Sequence, residues 1–142
     1  MLGRLFFIFG LLAFITTVNG QTEIKFDVDL YCDKPVWCFE LKMMEMDIDY
    51  HDLLGKTKME CTHEKKVTRT LKGFDTDDGI GDNDIEVRIE ATSDCSVKRN
   101  RRQMITLVTK EFYYNTFHWP WQKNNKEEGY AKFDFDKEEV SY

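Results

Sequence analysis

Ile85-Glu86-Val87-Arg88-Ile89-Glu90 is the stretch that decides the fold. Every apolar residue in it is β-branched and every intervening residue is charged, so one face of an extended chain is greasy and the other is wet. Phe26-Asp27-Val28-Asp29-Leu30 repeats the pattern. Trp37, Phe39, Leu41 and Met43 alternate with Cys38, Glu40 and Lys42, but Met44 and Met46 fall on the polar parity. Further runs at 56–62, 66–71, 104–110 and 130–135 bring the expectation to seven strands, with an eighth near 112–116. Turn-like clusters such as Cys32-Asp33-Lys34-Pro35 and residues 75–83 separate the runs, which favours a β-sandwich or barrel over a βαβ fold. No segment carries an apolar stripe of period 3.6 with caps at both ends, so the fold class is all-β.

Outward from these strands, the chain opens with a secretory signal pattern. Arg4 is the basic start, Leu5 to Ile15 the apolar stretch, and Val18-Asn19-Gly20 a small-residue cleavage site before Gln21. Residues 1–20 are expected to be removed, leaving one domain over 21–142. Losing Arg4 takes Lys plus Arg from 20 to 19 against 26 acidic residues, so the net charge moves from -6 to -7. That acidity argues against nucleic acid and anionic membrane as partners, since both require a cationic face. No later stretch approaches the ~20 apolar residues that span a bilayer. The expectation is a secreted, extracellular protein.

Four cysteines follow the signal: Cys32, Cys38, Cys61 and Cys95. An even number in an oxidising compartment implies two disulfides, and the sequence alone permits three pairings. With no Cys-x-x-Cys and no Cys/His ligand spacing, they read as staples rather than metal or redox groups.

The order of features from Leu30 to Cys95 resembles the nematode transthyretin-like family of secreted proteins. The elements are Cys32, the Lys34-Pro35 turn, the acidic connection at Asp47 and Asp49 running into Asp52-Leu53-Leu54-Gly55, the strands at 57–61 and 67–73, the polar acidic loop, and a strand ending in Asp94-Cys95. Cys38 and Cys61 are additions to the pattern, which marks a diverged member. The resemblance implies a two-sheet, immunoglobulin-like (transthyretin-like) sandwich with no catalytic residues common to the family. It also implies pairing of Cys32 with Cys95, leaving Cys38 for Cys61.

Candidate sites are few. The acidic loop places Asp75, Asp77, Asp78, Asp82, Asp84 and Glu86 within twelve residues, beside Gly79 and Gly81. Hard oxygens at that density suit Ca²⁺, and extracellular modules use affinities of ~10⁻⁴ to 10⁻³ M. The register does not fit an EF-hand, and a solvated turn ahead of a strand is the simpler reading. The aromatic segment from Phe112 through Tyr113, Tyr114, Phe117, His118 and Trp119 to Trp121 offers rigid contact area for recognition, in competition with core filling. Pro120 restricts it to an edge strand or a connection. Lys98-Arg99-Asn100-Arg101-Arg102 is the one cationic cluster, and it also matches a dibasic processing site. His51, His63 and His118 show no paired spacing, His63 lying in an expected hairpin turn, and no nucleophile elbow or phosphate loop occurs.

The sequence therefore predicts a binding protein with no cofactor rather than an enzyme. Its ligand would be an apolar small molecule, a lipid or a cell-surface protein, met by Lys98, Arg99, Arg101, Arg102, Tyr113, Tyr114, Trp119 and Trp121. A calcium-dependent adhesion module, and a precursor cut after Arg102, are the alternatives.

Overall fold

A computed structural model describes residues 21–47, 51–76, 84–95, 104–115 and 125–142. Ten strands follow one another: β1 (Gln21–Tyr31), β2 (Trp37–Met46), β3 (His51–Lys56), β4 (Glu60–Thr62), β5 (Lys66–Thr76), β6 (Asp84–Ser93), β7 (Ile105–Val108), β8 (Phe112–Asn115), β9 (Asn125–Asp134) and β10 (Glu139–Ser141). No helix occurs among the described residues, so none there is long and apolar enough to cross a membrane. The signal segment 1–20 lies outside them.

The strands form two sheets. One has the order β10-β9-β1-β5; in the other β3, β2, β6 and β7 run side by side, with β4 also pairing β2 and β8 also pairing β6. All pairs are antiparallel except β1 with β9, which run parallel. The described residues form ten strands rather than seven or eight, for two reasons. Asp52-Leu53-Leu54-Gly55, read as a connection, lies in β3, and β10 is a three-residue piece too short to show a period. The run at 56–62 is broken between β3 and β4. His63 lies not in a hairpin but where the chain passes from β4 in one sheet to β5 in the other.

Alternation builds the core as the sequence predicts. Ile24, Phe26, Val28 and Leu30 of β1, with Ala131 and Phe133 of β9, pack against Trp37, Phe39, Leu41 and Met43 of β2 and Ile85, Val87, Ile89 and Ala91 of β6, all buried. Each large side chain so buried contributes roughly 1.5–3 kcal/mol of transfer free energy. Met44 and Met46 lie outside this cluster: Met44 is half-buried, and Met46 is buried without joining the core between the sheets. The register shift beside them places its extra residue, Leu54, in β3, while β2 keeps an unbroken register with β6 from Phe39 to Glu45. Packing is close enough that Gly129, opposite Phe26 in the register, has no space for a Cβ, which would lie 2.3 Å from the Phe26 ring.

The six-stranded sheet is only four columns wide, because each flank is one broken strand. β4 and β3 pair with the start and the end of β2, and β8 and β7 do the same for β6. Each break is bridged by a threonine. Thr57 donates its N–H to the Leu41 carbonyl at 3.0 Å and accepts the Leu41 N–H on Oγ1 at 3.0 Å. Thr109 treats Ile89 identically, at 2.9 and 3.0 Å. The hydroxyl stands in for a missing backbone carbonyl, so the central strands keep their polar groups satisfied.

Two disulfides close the structure, paired as the resemblance implies. Cys32–Cys95 ties the residue after β1 to the second residue beyond β6, joining the two sheets across 63 residues of sequence. Cys38–Cys61 links directly opposed residues of β2 and β4 within one sheet.

Candidate functional site

The registers sort the connections to two ends. Gln21 and Asn125 bound one end of the four-stranded sheet with Thr76; Met46, His51, Asp84 and Asn115 bound the same end of the other sheet. Both disulfides lie at the opposite end, with Asp94 clamping it. Its Oδ1 accepts the Cys38 N–H at 2.8 Å, and its carbonyl accepts from the Lys34 ammonium.

At the end away from the disulfides, carboxylates from separate segments converge. Glu45 of β2, Asp47 just after it and Asp52 of β3 each offer an oxygen within 4.8 Å of the others; the first two are half-buried and the third is exposed. Asp75, near the end of β5, hydrogen-bonds to Glu45. Burial pushes the Glu45 carboxyl up to about 8, reinforced by the negative charges of Asp75 and Asp47, the hydrogen bond to Asp75, and Asp52. Like charges this close cannot all ionise, so Glu45 keeps its proton at neutral pH or exchanges it for a cation. Three to four hard oxygens form part of a Ca²⁺ ligand set, which needs six to eight.

Of the residues read as calcium candidates, Asp75 joins this group and Asp84 begins β6 at the same end. Asp77, Asp78 and Asp82 lie outside the described residues. Glu45, Asp47 and Asp52 were not among those candidates. The available signal was the acidic connection after β2, but nothing local announces that it meets the end of β5.

The aromatic segment divides. Tyr113 of β8 is 64% exposed, its hydroxyl donating to Glu111 Oε2 at 2.8 Å. Tyr114 points the other way, half-buried with its ring 6.3 Å from Phe26, and burial with the Glu127 charge raises its hydroxyl to about 12. Phe112 packs edge-on to Phe26 at 4.8 Å and to Tyr142 at 5.4 Å. Edge strand is thus the correct reading of 112–115, with Tyr113 exposed on it and the exposed Tyr142 ring against Phe112. Trp119 and Trp121 lie outside the described residues.

Lys98, Arg99, Arg101 and Arg102 also lie outside them, but their anchor is described. Ile105 pairs with Ser93, whereas Asn115, from which the aromatic segment continues, pairs with Asp84. The nine residue steps along β6 from Asp84 to Ser93 put the two anchors roughly 30 Å apart, at opposite ends of the sandwich. The aromatic segment is therefore anchored at the same end as the acidic group, on the opposite flank of the six-stranded sheet. No protein-family model, curated protein or solved structure matches the chain, so the transthyretin-like resemblance rests on the residues quoted for it.

Proposed function

We propose that this chain is a secreted, transthyretin-like β-sandwich that acts by recognition rather than catalysis, holding a cell-surface protein at the end away from its disulfides. The observation that carries this reading is the exposed Tyr113, whose hydroxyl donates to Glu111, on an edge strand that ends at the same end of the sandwich as Glu45, Asp47 and Asp52, across β6 and β2 from them. A rigid aromatic contact flanked by charge is the composition of a binding hot spot. The filled interior favours a surface partner over a carried small molecule, since Phe26, Trp37, Phe39 and Phe133 occupy the space between the sheets. Two disulfides are compatible with an extracellular setting. The test compares three probes: intact cells, phosphatidylcholine vesicles and a long-chain fatty acid. Retention on cells that Tyr113→Ser reduces by about tenfold, the loss of a hot-spot side chain, supports the reading. Saturable fatty-acid or vesicle binding that ignores Tyr113→Ser replaces it.

A calcium-dependent module is the second reading, favoured by the convergence of Glu45, Asp47, Asp52 and Asp75. Calorimetry with Ca²⁺ and then EDTA decides it. Heat at millimolar Ca²⁺ that Asp52→Asn abolishes supports it, and no heat with an unchanged melting temperature removes it.

A further inference from the structure

We propose that Cys38–Cys61 is a thiol–disulfide exchange site, opened by a dithiol reductant attacking Cys61 Sγ while Cys32–Cys95 stays closed. The sequence reads both pairs as staples; exposure separates them. Cys32 and Cys95 are 1% and 0% exposed. Cys61 is exposed and Cys38 half-buried. Exchange requires an in-line approach of a thiolate to one sulfur, so access decides which bond reacts, and exposed disulfides are the labile ones.

Position in the sheet points the same way. The Cys38 N–H is given to Asp94 Oδ1, and its carbonyl accepts from the Asp94 N–H and the Ser93 hydroxyl. Both backbone groups therefore face β6, which makes Cys38 and Cys61 a non-hydrogen-bonded pair with side chains at their closest. Among the described residues, the pairs that hold the backbone of β4 are the flanking ones, Trp37 with Thr62 and Phe39 with Glu60. Besides those, it is held by Arg69, whose Nε and Nη2 donate to Glu60 Oε2 at 3.0 and 2.7 Å. A three-residue flank carries little of the core. Trp37 and Phe39 stay buried between the sheets through the opposite face of β2.

The chemistry balances with a dithiol as the only co-reactant. Its thiolate bonds to Cys61 Sγ, the Sγ–Sγ bond breaks, and the electron pair leaves on Cys38, which takes a proton from water. The second thiolate of the dithiol then attacks the mixed disulfide, closing the reductant to its own disulfide and releasing Cys61 as a thiolate. Two electrons pass from the dithiol to the protein, and β4 is freed from the flank of β2.

Dithiothreitol is the probe, applied to the oxidised full chain, with N-ethylmaleimide quenching and peptide mass mapping. Cys38 and Cys61 should be alkylated at least about tenfold faster than Cys32 and Cys95. Equal rates, or Cys32–Cys95 opening first, would overturn the proposal. Glutathione with an acid quench identifies the attacked sulfur: an adduct on Cys61 is expected, and one mainly on Cys38 contradicts the assignment. Hydrogen exchange on the half-reduced protein then reads the release. Faster exchange at the Trp37 and Phe39 amides with β1 still protected supports it; global loss of protection shows that β4 is not separable.

Discussion

The disulfide end and the acidic end of the sandwich are built on opposite principles. At the first, two covalent links, the Asp94 clamp and the Asp33 N–H to Asp136 Oδ2 bond at 2.7 Å fix the turns. At the second, half-buried Glu45, Asp47 and Asp75 and the exposed Asp52 crowd carboxyl groups together. One end maximises stability, and the other carries an electrostatic cost that a proton or a cation relieves. Sites of binding are commonly the places where a fold tolerates such a cost.

The largest test of this contrast removes the buried link. Cys32→Ser with Cys95→Ser should lower unfolding free energy by about 4 kcal/mol on the chain-entropy model for a loop of 63 residues, read from urea titrations. A loss below about 1 kcal/mol would mean that the disulfide end owes its order to packing alone.

Next in size, Gly129→Ala should cost about 2–3 kcal/mol by thermal melting, because a Cβ there meets the immobile ring of Phe26. A neutral result would show a looser interior toward the acidic end than the contacts imply.

The acidic end itself has a pH signature. The folded Glu45 carboxyl sits near 8, above the unfolded value of 4.5, so the folded state holds a proton that the unfolded state has lost between those limits. Its contribution to stability is complete below pH 4.5 and disappears as pH rises to about 8. Glu45→Gln should therefore stabilise the protein at pH 8 by about 1–2 kcal/mol and leave it unchanged at pH 4. Denaturation at the two pH values checks this, and an equal effect at both would sever Glu45 from its neighbours.

Asp29 gives the opposite sign on a smaller scale. Burial raises its pKa, but hydrogen bonds from Lys66, Thr68 and Tyr130 outweigh this and hold it below the usual carboxylate value. Its contribution is present above the unfolded pKa and lost as pH falls through the folded one. Tyr130→Phe removes the 3.1 Å hydroxyl bond and should cost about 0.5–1 kcal/mol at pH 7, with Asp29 titrating higher by NMR. An unmoved Asp29 would leave Lys66 and Thr68 as sufficient partners.

Legibility in the sequence followed the range of each interaction. β1, β2 and β6 announce themselves because alternation is local and their inner faces are continuous. β3 hides because its residues, His51 to Lys56, lie at a flank where neither face is fully buried. Met44 and Met46 blurred β2 because they fall on the parity opposite Leu41 and Met43, where Met46 is buried without joining the core cluster. The acidic group was seen in two halves, 47–52 and 75–86, whose meeting depends on sheet pairing rather than on any neighbour in the chain. Tyr113 and Tyr114 were offered together, yet adjacent residues of a strand must face opposite ways.

The threonine-bridged breaks also bear on how this protein behaves when concentrated. A fibril grows by adding strands to a long flat row of open amides, and runs of about six or seven residues suffice to seed it. On the flanks of the six-stranded sheet, β4, β7 and β8 offer only three or four residues before the chain turns away at Thr57 or Thr109. Those three flanks template poorly, whereas β3, with six residues, leaves the longer open row on this sheet.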